Sequence, residues 1–362
     1  MKHTNRILCT VLAVVLLVSV MLTGCTLPKP TLTGTGNVAA TYGDTEISTG
    51  EYLAHLYLNF SQVYQSYYYY EQYGLDPWEQ TIPYGEDDEK LALADYIVQI
   101  TKDSIKRQIV LEQMMEEKGL SWIEDEKKDV DKELAELQPD LYLALGFSNE
   151  NFAKVYQALC LNERAVFMGL YGKGGLEEVK ETELKKYFDE NYLSYKGISA
   201  NLTDSEGKEL SKEKKQEELD KMNAYLKIAK EKGFEAAVDK FNKDKAGKDE
   251  KVEASKEEDN RMNSDATTMD ENLAKAIRSL KINEMKVVEY KAGGSTPSAV
   301  LLQRLDPSKP SSVYEDAYED ILSSLKYEDF NKAVEEKAAA LDITFNEKVV
   351  KKCDPKNFTE AQ

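Results

Sequence analysis

Apolar residues recur at steps of three and four along most of the chain, which is the period of amphipathic helices. The stripes are clearest from Tyr52 to Tyr70, from Leu91 to Met115 and from Phe152 to Leu170. Ser148 is a candidate N-cap for the third of these, and a last helix is predicted from Tyr314 to Ala340. The pattern therefore predicts a chain that is mainly helical.

Local signals indicate where these helices begin and end. Ser48–Glu51 and Ser121–Glu124 each have the spacing of a capping box. Negative charge at Glu86–Glu89 favours a helix N-terminus at that point, because it complements the helix dipole. Gly119 stands where a left-handed C-cap residue belongs. We therefore expect the second long helix to run from this acidic stretch to about residue 118.

Extended segments are fewer and shorter. Val38–Ile47 reads as two short strands around a turn, and Tyr195–Leu202 alternates as a strand does. Val287–Tyr290 and Ser298–Leu305 read as two strands joined by a glycine-rich turn. Asn242–Asp265 has no apolar period and is expected to be a loop or an insertion. The chain is therefore expected to be α+β, mainly α.

The composition limits the partners and the kinds of site that can be expected. At roughly 150 residues per domain, 362 residues predict about two domains. The formal net charge of -19 repels polyphosphate, so nucleic acid is not an expected partner. The histidines number two, His3 and His55, which excludes a multi-histidine metal site. No metal and no cofactor are predicted.

The N-terminus has the profile of an export signal. Lys2 and Arg6 precede an apolar run from Ile7 to Leu22, which is short for a spanning helix. The following tetrad, Leu22-Thr23-Gly24-Cys25, resembles a bacterial lipobox. The resemblance implies cleavage before Cys25, a lipid on its sulfur and an anchored protein on the extracytoplasmic face of a bacterial membrane. The alternatives are an ordinary secretory signal and a short N-terminal membrane anchor with an incidental cysteine.

Several short sequence segments after the leader resemble motifs of the SurA/PrsA-type extracytoplasmic foldases. Val38–Glu51 is similar to their opening sequence, Ile105–Leu120 to their second-helix signature, and Leu145–Phe152 to a later glycine–serine–phenylalanine step. The resemblance implies a helical chaperone domain formed by N- and C-terminal segments.

Further along, Leu184–Tyr192, Gly233–Phe241 and Ala274–Val300 resemble a parvulin-type peptidyl-prolyl isomerase domain, which implies a small α/β domain inserted into the helical one. The implied layout begins with a signal peptide (1–24) and a flexible tether (25–37). The chaperone domain (38–177), a degenerate parvulin-like domain (178–306) and a returning helix with a tail (307–362) follow.

One departure from the parvulin pattern bears on function. Parvulins carry a histidine in their first and last strands, beside a cysteine or aspartate, whereas this chain has no His or Cys between Glu178 and Pro310. Without that network a domain would bind peptide without lowering the barrier to rotation. The sequence therefore favours a chaperone that binds unfolded, newly translocated polypeptides, with no catalytic residue. An active isomerase and a non-chaperone surface adaptor stay open as alternatives.

Candidate peptide-binding residues lie mainly at the end of the first long helix. Because a helix turns about 100° per residue, consecutive tyrosines cannot all face one core. Amphipathic aromatic side chains suit adaptable binding of unfolded chains. Asn201 is a further candidate, since it is a polar donor near the position of the missing first-strand histidine. The tyrosines proposed for this role are Tyr64, Tyr67, Tyr68, Tyr70 and Tyr73.

Overall fold

The computed structural model describes residues 38–85, 89–246 and 261–360. The predicted signal peptide and tether, with Leu22, Thr23, Gly24 and Cys25, lie outside the described residues. The chain divides into two compact units. The first contains the residues up to Val179 together with those from Leu322 onward, and the second runs from Lys180 to Ile321. Within the described residues the chain is α+β and mainly α, as predicted.

The first unit is built mainly from long helices. Its elements are β1 (Val38–Tyr42), β2 (Thr45–Ser48), α1 (Thr49–Gln72), β3 (Thr81–Tyr84), β4 (Glu89–Ala92), α2 (Leu93–Lys118), α3 (Glu124–Ala135) and α4 (Asn149–Tyr171). Short 3-10 turns occupy Pro77–Glu79 and Leu143–Leu145. The C-terminal part adds β9 (Thr344–Phe345), α10 (Glu347–Val350) and α11 (Asn357–Glu360).

The two ends of the chain meet in a small antiparallel sheet of order β2-β1-β9. Ala40 pairs with Phe345, and Thr41 with Thr344. Further along, Phe358 is only 3% exposed and packs against Tyr57 and Phe60, at ring-centroid distances of 5.5 and 5.3 Å. The C-terminal segment therefore completes the hydrophobic core that α1 begins.

Most of the predicted helix ends are confirmed. At the start of α1, Glu51 N–H donates to Ser48 Oγ (3.2 Å) and Ser48 N–H donates to Glu51 Oε2 (2.8 Å), which is a capping box. Ser148 caps α4 in the same reciprocal way with Asn151. Gly119 ends α2 with a φ of 65°, the left-handed region that favours glycine.

Two predictions in this unit are wrong. The second long helix begins at Leu93 and not at the acidic stretch, because Glu89–Ala92 pairs with Thr81–Tyr84 in a hairpin. The Ser121–Glu124 capping box does not form, since α3 has Ile123 as its N-cap and no side-chain cap. In the first case strand pairing overrides a short local signal. In the second case the helix begins at a different residue from the one that the signal indicated.

The second unit contains a four-stranded antiparallel sheet with helices on both faces. Its elements are α5 (Glu181–Asn191), β5 (Tyr192–Asn201), α6 (Lys212–Lys232), α7 (Phe234–Lys245), β6 (Arg261–Asp265), α8 (Glu271–Ser279), β7 (Met285–Ala292) and β8 (Thr296–Leu305). A long helix, α9 (Ser312–Ala339), begins in this unit and ends in the first. The strand order is β6-β5-β8-β7.

Alternating side chains of the two central strands form a separate apolar core on each face. Ile198 and Leu301 pack with α6 and α7, whereas Tyr195 and Leu302 pack with α8. The segment expected to be a loop is partly ordered structure, because α7 extends to Lys245 and Arg261–Asp265 pairs with β5. That strand, β6, lies at a sheet edge and has no apolar alternation. Its extended conformation therefore depends on pairing with β5 and not on its own sequence pattern.

We expect Phe358→Ala to lower the free energy of unfolding of the first unit by about 3–5 kcal/mol, because it leaves a cavity in an aromatic core. The chain contains two tryptophans, Trp78 and Trp122, and both lie in this unit. Tryptophan fluorescence in urea therefore reports its unfolding selectively. Lys352→Ala, at an exposed position of the same segment, serves as the control. An unchanged midpoint for Phe358→Ala would show that the C-terminal segment does not support the core.

Candidate functional site

An apolar patch lies where α1 ends. Tyr70, Tyr73 and Leu75, here called the tyrosine patch, have exposed fractions of 37%, 82% and 51%. Leu75 N–H donates to the Tyr70 carbonyl (3.0 Å), and Gly74 has a φ of +72°. This bond from the residue after Gly74 back to the last turn of the helix is typical of a Schellman motif. The turn therefore holds the patch in a defined position.

A group of aromatic rings is formed by α1 and by the 3-10 turn that follows the patch. Tyr64 stacks on Phe60 (5.0 Å between centroids) and packs against Trp78 (5.2 Å). Lys356 Nζ lies 5.9 Å from the centre of the Trp78 ring, within reach of a cation–π interaction. Tyr64 and Trp78 are half-buried. Tyr64 is therefore part of the packing at the margin of the core, with one side accessible.

The other predicted binding residues are placed as follows. Tyr67 and Tyr68 belong to α1, but their side chains lie outside the described residues. Asn201 is exposed at the end of β5, opposite Ser298. It lies in the second unit and the tyrosines lie in the first. The roles of Cys25, Asn201 and the tyrosines stay predictions.

The first unit holds a buried histidine whose surroundings the sequence analysis did not identify. His55 is 2% exposed, and its Nδ1 lies 3.2 Å from Ser104 Oγ on α2. Glu51 lies one turn earlier on α1 and is also buried; it binds Lys154 of α4 and the Ser48 cap. Burial alone would raise the pKa of Glu51, but the hydrogen bonds from Lys154 and Ser48 lower it. These polar side chains connect three helices.

Burial lowers the pKa of His55 to about 4, although the side chain of Gln108 and the charge of Glu51 oppose the shift. The imidazole is therefore neutral at pH 7. A base with so low a pKa is a weak proton acceptor at neutral pH, and a side chain 2% exposed cannot reach a bound substrate. His55 is therefore suited to a structural role, in which its charge state depends on pH.

The second unit has its own buried charge. Lys196 on β5 is 3% exposed, and its Nζ donates to Glu235 Oε1 on α7 at 2.5 Å. Burial pushes the pKa of Glu235 up, but the Lys196 hydrogen bond and charge outweigh it, so the pKa is lowered. An unpaired charge at this depth would be costly, so Lys196 requires a partner. Because that partner comes from α7, the ion pair connects α7 to the sheet. Alternation alone gives no sign of it, since β5 is buried on both faces at this point.

The face of the sheet beneath α8 is lined with apolar side chains. Leu193, Tyr195 and Val300 pack against Ala274 and Ile277. No histidine or cysteine occurs between residues 178 and 310. This face therefore presents packing surface without imidazole or thiol chemistry.

Among the described residues, no helix is both long and apolar enough to cross a bilayer. In the same ranges, 38–85, 89–246 and 261–360, no three His, Cys, Asp or Glu side chains are grouped so that they could hold a metal ion.

No protein-family model matches the chain, and no curated protein matches it. Among solved structures it is similar to the foldase protein PrsA from Lactococcus lactis, with 13% identity and a TM-score of 0.37, over 90% of this chain and 100% of that one. It is also similar to the foldase protein PrsA from Streptococcus pneumoniae, with 17% identity and a TM-score of 0.34, over 78% and 100%. Both identities and both TM-scores are low.

We expect the stability of the first unit to fall as pH drops from about 6.5 towards 4. The folded state holds His55 neutral down to a pKa of about 4, whereas the unfolded chain takes up the proton near 6.5, so protons favour unfolding in this window. The loss between pH 7 and pH 5 should be about 2 kcal/mol. Urea unfolding followed by tryptophan fluorescence measures it. The same loss in His55→Gln would contradict this assignment.

Proposed function

We propose that the chain is a lipid-anchored extracytoplasmic chaperone that binds unfolded, exported polypeptides. The observation that carries this proposal is the tyrosine patch, in which Tyr73 is 82% and Leu75 51% exposed at the end of a long helix. Exposed apolar groups grouped in this way are typical of interaction sites. The occupant we propose is any nonnative segment that offers apolar side chains.

The chemistry of the patch suits a partner without a fixed sequence. A tyrosine offers a large contact area at a small entropy cost, because its side chain has only two rotatable bonds. Its hydroxyl can form a hydrogen bond with either water or a polar neighbour. The Schellman turn at Gly74 holds the backbone, so binding orders little of the chaperone itself. The half-buried pair formed by Tyr64, on the same helix, and Trp78, in the 3-10 turn that follows, would extend the contact area.

We further propose that the second unit is a degenerate parvulin-like domain that does not accelerate prolyl isomerisation. Catalysis requires groups that bind the twisted amide more strongly than the planar one. The absence of His and Cys from residues 178–310 supports this reading, and so does the pairing of the buried Lys196 with the half-buried Glu235. A domain of this kind contributes binding surface.

The remaining parts of the proposal concern location and layout. Cys25 would carry the lipid, residues 26–37 would be the tether, and residues 38–177 with 307–362 would form the chaperone domain. The Leu22–Cys25 tetrad and the basic, apolar leader before it support the anchor. The meeting of β1 and β9 supports a domain drawn from both ends of the chain.

We expect Tyr73→Ser combined with Leu75→Ser to raise several-fold the concentration of protein needed to suppress aggregation of an unfolded client. The changes remove apolar contact area from exposed positions, so folding should be unaffected. The protein is used as purified from the producing cell in detergent, with aggregation followed by light scattering. Leu176→Ser with Ile282→Ser, at positions 61% and 45% exposed, is the matched control. Equal activity of both double variants would contradict the role of the patch.

We expect the chain to leave a proline-limited refolding reaction unaccelerated at substoichiometric concentration. The physical reason is that uniform binding of the peptide does not lower its rotational barrier. Refolding is followed by fluorescence of a client with a slow prolyl phase. Acceleration would identify an active isomerase. No effect on aggregation at stoichiometric excess would identify a surface adaptor.

A further inference from the structure

The strand β7 has one open edge. It is the last strand of the sheet, and among the strands that the structure describes it pairs with β8 alone. Just before β7, Arg304 N–H donates to the Glu284 carbonyl (3.1 Å). Because bonding alternates along an antiparallel pair, the even-numbered residues of β7 bond to β8. The odd-numbered residues, Val287 and Glu289 among them, therefore turn their N–H and C=O groups outward.

An open groove runs beside this edge. It has a volume of about 360 Å³ and lies between α6 and β7. Gln216, Leu219 and Asn223 line it from the helix, and Lys286–Glu289 line it from the strand. Val287 and Leu219 belong to the margin of the core on this face. Side chains of a strand added next to β7 would enter this groove on the α6 side.

The charges along the edge are arranged in a pattern. Glu289, in the middle, is neutralised by Lys215 of α6, at 2.8 Å. Lys286 and Lys291, near the two ends of β7, are exposed, and no ion pair within the described residues includes either. On a chain with a net charge of -19 this edge therefore presents two positive positions around a neutral centre. It complements a segment that has acidic ends and an apolar middle.

We propose that β7 is a strand-addition site, at which an extended polypeptide segment with an apolar centre and a carboxylate near each end pairs with the outward groups of β7. The proposal rests on the proposed function for the class of partner but concerns a different surface. Main-chain hydrogen bonds supply affinity, and alternate side chains supply selectivity. A side chain opposite Val287 lies in the groove beside Leu219, and the carboxylates lie opposite Lys286 and Lys291.

The probe is a fluorescein-labelled peptide of sequence Asp-Val-Thr-Val-Leu-Glu-Thr. Paired antiparallel, its first residue lies opposite Lys291, its fifth opposite Val287 and its sixth opposite Lys286. Anisotropy measures its binding to the protein as purified from the producing cell. N-methylation of the third and fifth residues removes N–H groups that face β7, and should weaken binding at least about tenfold. N-methylation of the second and fourth residues, whose N–H groups face away, is the matched control and should change it less than about twofold.

The protein variants are Glu289→Pro and Glu289→Ala. Both lose the Lys215 ion pair, but only proline removes the outward N–H and places its ring in the path of an added strand. Proline is tolerated at an edge when its N–H would face solvent, so the β7–β8 ladder should persist, which circular dichroism checks. We expect Glu289→Ala to bind the peptide within about twofold of the unchanged protein and Glu289→Pro to bind it at least about tenfold more weakly.

Several outcomes would overturn the proposal. These are equal binding by the two Glu289 variants, equal binding of the two methylated peptides, or dimerisation that Glu289→Pro abolishes while the peptide fails to bind. The methylated peptides test the proposal even if Glu289→Pro does not fold. If the protein binds the peptide but does not suppress aggregation, only the proposed function is contradicted. If it suppresses aggregation but does not bind the peptide, only strand addition is contradicted.

Discussion

The structure of the first unit depends on a contact between the two ends of the chain. Ala40 of β1 pairs with Phe345 of β9, and Phe358 then closes the aromatic core around Tyr57 and Phe60. Joining segments some three hundred residues apart costs loop-closure entropy, although this cost grows only slowly with loop length. Burial of aromatic rings offsets it. The same core holds α1 in place, so the position of the tyrosine patch depends on that contact.

Buried polar groups give each unit a specific internal arrangement. In the first, His55 and Glu51 connect α1 to α2 and α4, and in the second Lys196 and Glu235 connect β5 to α7. Each group is costly to bury alone and is tolerated because it has a partner. The histidine and the lysine, which catalytic sites often use, are thereby committed to packing.

The two proposed surfaces would recognise features that are common to unfolded chains. The tyrosine patch offers apolar contact area, which a nonnative segment can match with any large side chain. The β7 edge offers backbone donors and acceptors, which every extended segment can match, with Lys286 and Lys291 adding a preference for acidic ends. The patch requires exposed side chains of the client and the edge requires an extended backbone. Together they would favour a chain that has not yet folded.

The sequence by itself determined the features that depend on neighbours within a few residues. The long helices, the Ser48–Glu51 and Ser148 caps, the Gly119 terminus and the Val38–Ser48 hairpin follow from local periodicity, capping and turn chemistry. Only the tertiary structure decided the rest. Glu89–Ala92 and Arg261–Asp265 are strands because partner strands bind them, and His55 and Lys196 are buried because Ser104 and Glu235 come from other elements. The open edge of β7 is likewise a property of strand order, which local periodicity does not encode, since it depends on which segments meet when the chain folds.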